Sequence, residues 1–327
     1  MQGAKLQTKT MYICKNLQIS PINMSLVVFG VIAFDDIKTP AGERTGILGG
    51  TVPYSALSAS HICRDVKIIS VVGDDFSDSD MEIFSSRGIS TEGILRRKGM
   101  KSFHWKARYH ENMDMRQTLE TRLGALDGFD PVVPESYGGC DILLLANSHP
   151  GLQRTVIERV SPRPRFVIMD TMNFWMDTAW SELIKTLSMT DILVINDQET
   201  VQLSGMRDID SAARKILYMG PKWLIVKKGG RGAVLYGVDG RRFDCPAVPL
   251  DAVTDPTGAG DTFAGGFAGY LCDSGDYSFE GMKRAMLYGT AMASFCVEKF
   301  GTENLTDVSG DTIDTRVGVL DEMIRTR

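Results

Sequence analysis

Long apolar runs and blocks of like charge are both missing from this chain. Its most apolar stretch, residues 142–146, is far shorter than the roughly 20 residues that a membrane-spanning helix needs. Lys and Arg total 36 against 41 Asp and Glu, which gives a net charge of −5 and a pI of about 5.5. The sequence therefore predicts no membrane contact and no nucleic-acid partner. A cytoplasmic location is expected.

Closely spaced cysteine pairs are missing as well. Six cysteines are scattered singly along the chain, at Cys14, Cys63, Cys140, Cys245, Cys272 and Cys296. The four histidines show no metal-ligand spacing with them. This pattern argues against a zinc site and indicates reduced, packed thiols.

The chain does contain a regular alternation of strand-like and helix-like segments. With 327 residues and a hydrophobic fraction of 43%, it can bury a large core. The predicted strands cover residues 26–32, 67–72, 141–145, 166–170, 191–195 and 223–227, and the first predicted helices cover 52–63 and 78–87. Each later strand is expected to lead into a crossover helix. This order predicts an α/β fold in which helices cover both faces of a mostly parallel central sheet.

The domain organisation follows from the same alternation. Residues 1–24 are expected to form an N-terminal extension, and residues 25–327 a single domain. Because Met24 directly precedes the first strand, the alternative is that translation starts at Met24.

Two segments, residues 96–122 and about 37–48, interrupt the alternation. In the first, residues 103–109 alternate bulky and polar side chains, as a half-exposed antiparallel strand does. Insertions from the carboxyl end of a parallel sheet lie over its ligand crevice. We therefore expect a small β lid there.

Residues 255–267, Asp-Pro-Thr-Gly-Ala-Gly-Asp-Thr-Phe-Ala-Gly-Gly-Phe, form the most informative segment. Its small residues precede an apolar, helix-like run, so the glycines are predicted to lie at a helix N-terminus, where free N–H groups hold an anion. Asp261 would either cap this helix or act as a general base beside the anion site. A dinucleotide fingerprint is excluded because Phe263 stands where a third glycine is required, and no Walker-A string is present.

Residues 255–267 closely resemble the C-terminal signature of the ribokinase/PfkB carbohydrate kinases. Weaker similarities follow in the family's order: Gly30 with Asp35, the Gly49-Gly50 pair, the N-x-x-E element at 196–199 and the glycine-containing turn at 228–232. The resemblance implies a ribokinase-like three-layer fold and an ATP-dependent kinase for a primary hydroxyl of a sugar or nucleoside-like molecule.

The resemblance also implies roles for individual residues. Asp261 would be the catalytic base, beside an anion site formed by Gly258, Ala259 and Gly260. The acceptor would contact Asp35, Gly49, Gly50, Tyr54 and Trp105. The nucleotide would contact Asn196, Glu199, Lys227, Gly229, Gly232, Asp255 and Thr257, with Glu199 also near Mg²⁺. ATP and Mg²⁺ are the implied cofactors, some relatives also use a monovalent cation, and a homodimer through the lid is implied.

Taken singly, the weaker elements have structural explanations that stay open. Asn196 could simply cap a helix, the glycines at 229–232 could form only a hairpin turn, and Asp35 could be a solvated loop residue. Phe174 and Trp175 could belong to the core or to the wall of the crevice.

Two departures from the ribokinase pattern bear on the acceptor. Ala33 and Tyr54 stand where ribokinases carry asparagines that bind sugar hydroxyls, which makes ribose itself doubtful. Phe103, Trp105 and Tyr109 would share one strand face. That face could stack on a nucleoside base or form a dimer interface.

Two other classes of protein remain as alternatives. One is a non-catalytic sugar- or nucleoside-binding protein on the same fold, against which the intact Asp261 argues. The other is a nicotinamide-dependent dehydrogenase, which would need an early glycine fingerprint.

Overall fold

The computed structural model describes residues 24–326, except for 112 and 114. The predicted N-terminal extension, residues 1–24, lies outside the described residues apart from Met24.

The strands are numbered in chain order. They are β1 (Ser25–Phe29), β2 (Ile32–Thr39), β3 (Gly42–Gly50), β4 (Asp65–Val72), β5 (Ser90–Arg96), β6 (Phe103–Tyr109), β7 (Arg116–Arg122), β8 (Ile142–Leu145), β9 (Phe166–Asp170), β10 (Ile192–Asn196), β11 (Trp223–Lys227), β12 (Ala233–Gly237) and β13 (Arg242–Cys245).

The helices connect and cover these strands. They are α1 (Thr51–Ser60), α2 (Asp78–Ser85), α3 (Pro150–Arg159), α4 (Asn173–Thr178), α5 (Trp180–Leu187), α6 (Asp197–Ser204), α7 (Ile209–Leu217), α8 (Ala259–Ser274), α9 (Phe279–Cys296) and α10 (Gly310–Arg325). Over the residues that the structure describes, no helix has both the length and the apolar character needed to cross a membrane.

The main sheet has nine strands in the order β13-β12-β11-β10-β9-β8-β1-β4-β5. Neighbouring strands from β11 to β5 are parallel, whereas β12 and β13 are antiparallel to their neighbours. A parallel sheet brings the carboxyl ends of its strands to one edge. The predicted mostly parallel α/β sheet is confirmed.

The sheet is buried on both faces, which explains its continuous apolar strands. In β1, Leu26 and Val28 pack into one core cluster, which also contains residues of α1, α8 and α9. Val27 and Phe29 point the other way, into a cluster that includes residues of α3, α5 and α7. This alternation, with a period of two, gives the three-layer arrangement.

A second, four-stranded sheet has the order β3-β2-β6-β7 and is called the β lid below. It contains both segments that interrupt the alternation, but its first two strands span 32–50, beyond the expected 37–48. The predicted single strand at 26–32 is wrong, because the chain leaves the main sheet after Phe29 and Ile32 opens β2. Ile32 is fully buried, so hydrophobicity alone does not reveal the bend.

The expected crossover helix after residues 223–227 is absent. Instead, a single 3₁₀ turn (Gly229–Arg231) reverses the chain into the antiparallel strand β12. Gly229 and Gly232 have φ values of +55° and +86°. Glycine adopts such angles readily, which allows so short a reversal.

Helices α1 and α8 lie unusually close together, and this closeness generates a first prediction. A Cβ at Gly265 would overlap the Ser55 carbonyl group. Gly265→Ala should therefore lower the free energy of unfolding by about 3 kcal/mol, since the backbones must separate. Gly318→Ala, on an exposed turn of α10 with no atom within 4 Å of the new Cβ, is the control and should be neutral or stabilising by up to ~1 kcal/mol. Urea unfolding of both variants tests this, and equal stabilities would contradict it.

Candidate active site

Three neighbouring parallel strands end in polar residues at the same edge of the main sheet. Asp170 ends β9, Asn196 ends β10 and Lys227 ends β11. The Lys227 ammonium lies 2.9 Å from an Asp170 carboxylate oxygen. Both side chains are largely shielded from water, with 18% of the Lys227 side chain and 8% of the Asp170 side chain exposed.

The N-terminus of α8 faces this pair. Gly258 precedes the helix with φ +74°, and a Cβ there would overlap the Tyr54 ring. A Cβ on Gly260 would lie 2.7 Å from the Lys227 ammonium. The glycines thus let a ring and a cation approach the first turn of α8, whose free N–H groups can hold an anion.

Asp261 lies in that first turn and is partly buried. Among the described residues, no side chain makes a capping hydrogen bond at the start of α8, so the alternative that Asp261 is the capping residue is wrong. Removal from water, together with the negative charge of Asp170, raises the pKa of the Asp261 carboxyl well above its usual value, although Lys227 and Arg116 oppose this. A carboxylate with a raised pKa is a stronger base once it has lost its proton.

The N-x-x-E element forms a capping box at the start of α6. The Asn196 side chain accepts a hydrogen bond from the Glu199 N–H at 2.8 Å, and the Glu199 carboxylate accepts one from the Asn196 N–H at 2.8 Å. The capping explanation is therefore correct in geometry. Burial raises the pKa of Glu199 to about 7, with Lys227 opposing and Asp170 adding to the shift. The role of this element at a metal or phosphate stays a prediction.

Lys227 balances these acids. Although burial alone would lower its pKa, the negative charges of Asp170, Glu199 and Asp261 raise it. Lys227, rather than its neighbour Lys228, is thus the lysine that points into the site. Residues 229–232 form a hairpin turn, which is the structural alternative given above for these glycines. The turn begins just beyond Lys227.

Asp35 lies on the β lid and is 2% exposed, so the solvated-loop alternative is wrong. One carboxylate oxygen accepts a hydrogen bond from the Gly50 N–H at 3.3 Å, and the other has no partner in the described part of the chain. A Cβ on Gly49 would overlap this carboxylate, and Gly50 has φ +84°. The di-glycine pair therefore makes room for Asp35. Burial raises the pKa of Asp35 to about 7.

Asp255 and Thr257 hold the loop that precedes α8. One Asp255 oxygen accepts a hydrogen bond from the Thr257 N–H at 2.9 Å and the other from the Gly301 N–H at 3.2 Å. Thr257 in turn bonds the Tyr109 hydroxyl of the β lid at 3.2 Å. Both residues are buried. These contacts position the anion site, and the predicted nucleotide contacts of Asp255 and Thr257 stay predictions.

Tyr54, on α1, is fully buried, and its hydroxyl has no hydrogen-bond partner among residues 24–326 as described. Burial raises the pKa of this phenol well above its usual value, and Asp35 and Asp255 contribute to the shift. The Tyr54 hydroxyl thus lies in the same buried region as the Asp35 carboxylate of the β lid.

Trp105 pairs in register with Asp35 on the adjacent lid strand, so the two side chains project from the same face of the β lid. This face packs inward, where Trp105, Ala107 and Tyr109 contact a cluster that includes Phe300. Phe103 is not part of that cluster. Phe103 and Trp105, two residues apart on β6, still project from one face of the strand.

Two residues that the sequence analysis left without a role belong to this site. Asp170 could have been found, because it ends a buried strand at the carboxyl edge. Arg116 gave no such signal. It lies over the Trp105 ring at 5.5 Å, and its charge lowers the pKa values of Tyr109, Asp261 and Glu199. Phe174, expected in the core or the crevice wall, is 51% exposed near the end of β9.

Comparison with known proteins gives clear relatives. The family described as pfkB family carbohydrate kinase matches residues 48–308. A cytidine kinase from Thermococcus kodakarensis is 29% identical over 257 residues, covering 76% of this chain and 88% of the relative. A nucleoside kinase from Methanothermobacter thermautotrophicus is 26% identical over 302 residues, covering 88% of this chain and 94% of the relative. A deoxyribokinase from Salmonella typhi is 37% identical over 271 residues, covering 78% and 83%.

Solved structures show the same fold. A nucleoside kinase from Methanocaldococcus jannaschii superposes with a TM-score of 0.72 at 20% identity, covering 90% of this chain and 99% of that one. An E. coli protein solved with ATP and Mg²⁺ superposes with a TM-score of 0.76 at 20% identity, with the same coverage.

The chain belongs to the pfkB family of carbohydrate kinases. The predicted resemblance and the ribokinase-like fold are confirmed. The prediction of an ATP-dependent kinase for a hydroxyl of a sugar or nucleoside-like molecule is confirmed as well.

Asp261→Asn should preserve the fold and nucleotide binding but lower kcat by about 10²–10⁴, because the amide keeps the shape and loses the proton acceptor. The control is Asp273→Asn, on an exposed position near the other end of α8, which should leave kcat unchanged. Steady-state kinetics and nucleotide-dependent melting measure both effects. Near-wild-type turnover in Asp261→Asn would mean that Asp261 has only a structural role.

Asp35→Asn should flatten the pH dependence of stability in the ligand-free protein. The unfolded chain loses the Asp35 proton near pH 4, whereas the folded protein keeps it up to about pH 7, where burial has placed the pKa. Because the folded state binds the extra proton in this window, the free energy of unfolding falls as the pH rises through it. Urea unfolding at several pH values should show a smaller fall in the variant. A fall equal to that of the wild type would contradict the burial of an ionisable Asp35.

Proposed function

We propose that the acceptor is a nucleoside whose primary hydroxyl is phosphorylated by ATP. The observation that carries this proposal is the in-register pairing of Asp35 with Trp105 on one inward face of the β lid. Neighbouring strands lie about 4.8 Å apart, so a carboxylate and an indole ring stand side by side. This spacing suits a sugar joined directly to a flat base.

Two buried polar atoms support the sugar end of this assignment. One Asp35 oxygen and the Tyr54 hydroxyl lack hydrogen-bond partners within the described residues. An unsatisfied buried polar group costs about 1–3 kcal/mol. Ring hydroxyls of a ribosyl group would supply partners to both atoms, and substrate binding would thereby remove that cost.

The base end rests on Trp105. Its indole N–H donates to the Thr118 hydroxyl at 3.2 Å, and the Arg116 guanidinium lies over the ring. These contacts fix the ring orientation before a ligand arrives. Stacking of a base on such a ring contributes about 1–3 kcal/mol.

The residues at the edge of the main sheet fit a nucleotide with Mg²⁺. No group of three metal-ligating side chains occurs in the part of the chain that the structure describes. However, Mg²⁺ usually binds one or two carboxylates plus waters and phosphates. Glu199 and Asp170 would hold the ion, since the two carboxylates are close enough for the charge of Asp170 to add to the rise that burial causes in the pKa of Glu199. When bound, Mg²⁺ neutralises phosphate charge.

The chain's own groups divide the chemistry. Asp261 takes the proton of the acceptor's primary hydroxyl as that oxygen attacks the γ-phosphorus of ATP, while the bond from this phosphorus to the β–γ bridging oxygen breaks and ADP leaves. The N–H groups in the first turn of α8 and the Lys227 ammonium stabilise negative charge on the transferring group. Arg116 approaches the same charges from the β lid.

We further infer that the β lid opens to admit substrate and closes through the Tyr109–Thr257 contact, which excludes water.

Strand β7 forms one edge of the lid sheet and is exposed along its length. A homodimer through this edge, a monovalent-cation requirement and a cytoplasmic location stay predictions.

A free deoxypentose is the second candidate acceptor, since the Salmonella typhi deoxyribokinase is 37% identical over 271 residues. It would use Asp35 and Tyr54 in the same way but leave Trp105 without a stacking partner.

A panel of kcat/KM values decides between the two. We expect wild type to prefer cytidine, inosine or adenosine over deoxyribose, ribose and fructose by at least tenfold. Trp105→Ala should reduce that preference by about ten- to hundredfold, because stacking is lost. Leu119→Ala, a 42% exposed apolar residue on β7, is the matched lid control and should leave the ratio unchanged. A free sugar preferred by more than tenfold, with the same ratio in Trp105→Ala, would overturn the nucleoside assignment.

A further inference from the structure

Two cysteines far apart in sequence lie side by side at the end of α8 that is remote from Asp261. The Sγ atoms of Cys63 and Cys272 are 2.7 Å apart. This distance is shorter than the roughly 3.5–4.0 Å of ordinary nonbonded contact between carbon atoms. Both residues are buried, with exposed fractions of 2% and 1%. The two sulfur atoms are therefore already in contact, as a disulfide requires.

The pair lies at one end of the α1–α8 contact, and the active site lies at the other. Cys63 follows α1, and its N–H donates to the Ala59 carbonyl at 2.8 Å. Cys272 lies in the last turn of α8. Near the active site, the Ser55 and Ser58 hydroxyls of α1 donate to carbonyl groups in the first turn of α8 at 3.1 and 2.7 Å. The two helices are thus held together at both ends.

We propose that Cys63 and Cys272 are an oxidisable pair, and that a small hydroperoxide converts them into a disulfide joining the helices that carry Tyr54 and Asp261. This modification site is separate from the catalytic groups and does not depend on the identity of the acceptor.

The two thiols are chemically unequal. A hydrogen bond with Cys272 holds the pKa of the Cys63 thiol below its usual value, even though burial opposes this. The same interaction and burial raise the pKa of Cys272. Cys63 is therefore the sulfur that reaches the reactive thiolate form first. Burial raises the pKa values of Cys140 and Cys296 to about 12, which keeps those thiols unreactive.

The reaction balances with one hydrogen peroxide. The Cys63 thiolate attacks one peroxide oxygen, the O–O bond breaks and hydroxide leaves, giving a sulfenic acid. The Cys272 sulfur then attacks the Cys63 sulfur, and an S–S bond replaces the S–O bond. The released hydroxide takes the Cys272 proton as water. Two thiols have lost two electrons and the peroxide has gained them.

The test uses the full-length protein treated with a few equivalents of hydrogen peroxide. Intact mass should show the loss of two hydrogen atoms, and nonreducing peptide maps should contain one linked peptide, Cys63 with Cys272. The melting temperature should rise by roughly 5 °C, since a long loop is closed, and dithiothreitol should reverse the rise. Turnover should stay within twofold of the reduced enzyme, because the hydrogen bonds from Ser55 and Ser58 already fix the active-site end.

Cys140→Ser is the matched control, a buried cysteine outside the pair, and should form the same linked peptide. Cys63→Ser and Cys272→Ala should not form it. A wild-type protein in which both thiols remain titratable after peroxide treatment would overturn the proposal. A Cys63 oxidised to sulfinic acid, or linked elsewhere, would overturn it too, and these readings need no variant to fold.

Discussion

One ammonium group, that of Lys227, holds together a set of carboxylates that would otherwise repel one another. Asp170 lies in direct contact with it, and Glu199 and Asp261 lie within its field. Charges shielded from water are costly unless they are compensated, and here Lys227 faces three acids, with Arg116 approaching two of them from the β lid. Removal from water is the main cause of the raised pKa values of Glu199 and Asp261, and the charge of the neighbouring Asp170 adds to it. The site therefore has room for further positive charge, as an enzyme that handles a metal-bound nucleotide requires.

The position of Asp261 depends on contacts well outside the charged cluster. Two serine hydroxyls of α1 bond carbonyl groups at the start of α8, and Gly265 allows the helix backbones to approach. The motif of residues 255–267 thus serves two purposes. Its first half forms an anion site, and its second half packs the helix that carries the base.

Much of this arrangement could be predicted from the sequence. The glycine-rich run before an apolar helix indicated the anion site, and the alternation of strand-like and helix-like segments indicated a parallel sheet. The structure places Asp35, Tyr54, Lys227 and Asp261 in one region, as the family resemblance implied. The individual roles of these side chains rest on the experiments above.

What could not be predicted has identifiable physical causes. The bend after Phe29 is hidden because the residues on both sides of it are apolar and buried. For the segment after β11 the sequence left two possibilities, a crossover helix or a hairpin turn at the glycines of 229–232, and the structure shows the turn, with positive φ angles at Gly229 and Gly232. Arg116 stands among other charged residues of β7, and its approach to the site depends on how two sheets meet. Contacts between two sheets depend on the tertiary structure and produce no periodic pattern in the sequence.

The separation of the molecule into two sheets has a consequence for how its substrate range can change. Phosphate chemistry is assigned to the nine-stranded sheet and to α8, whereas the row containing Asp35 and Trp105 belongs to the β lid. The two parts meet at local contacts such as Tyr109 with Thr257 and Thr39 with the carbonyl of residue 254. A substitution near Asp35 and Trp105 in the β lid can therefore alter which acceptor is bound, while the residues of the main sheet and α8 that transfer the phosphate stay unchanged. In this family, relatives named for cytidine, nucleosides and deoxyribose are what such a division of labour would produce by successive small changes.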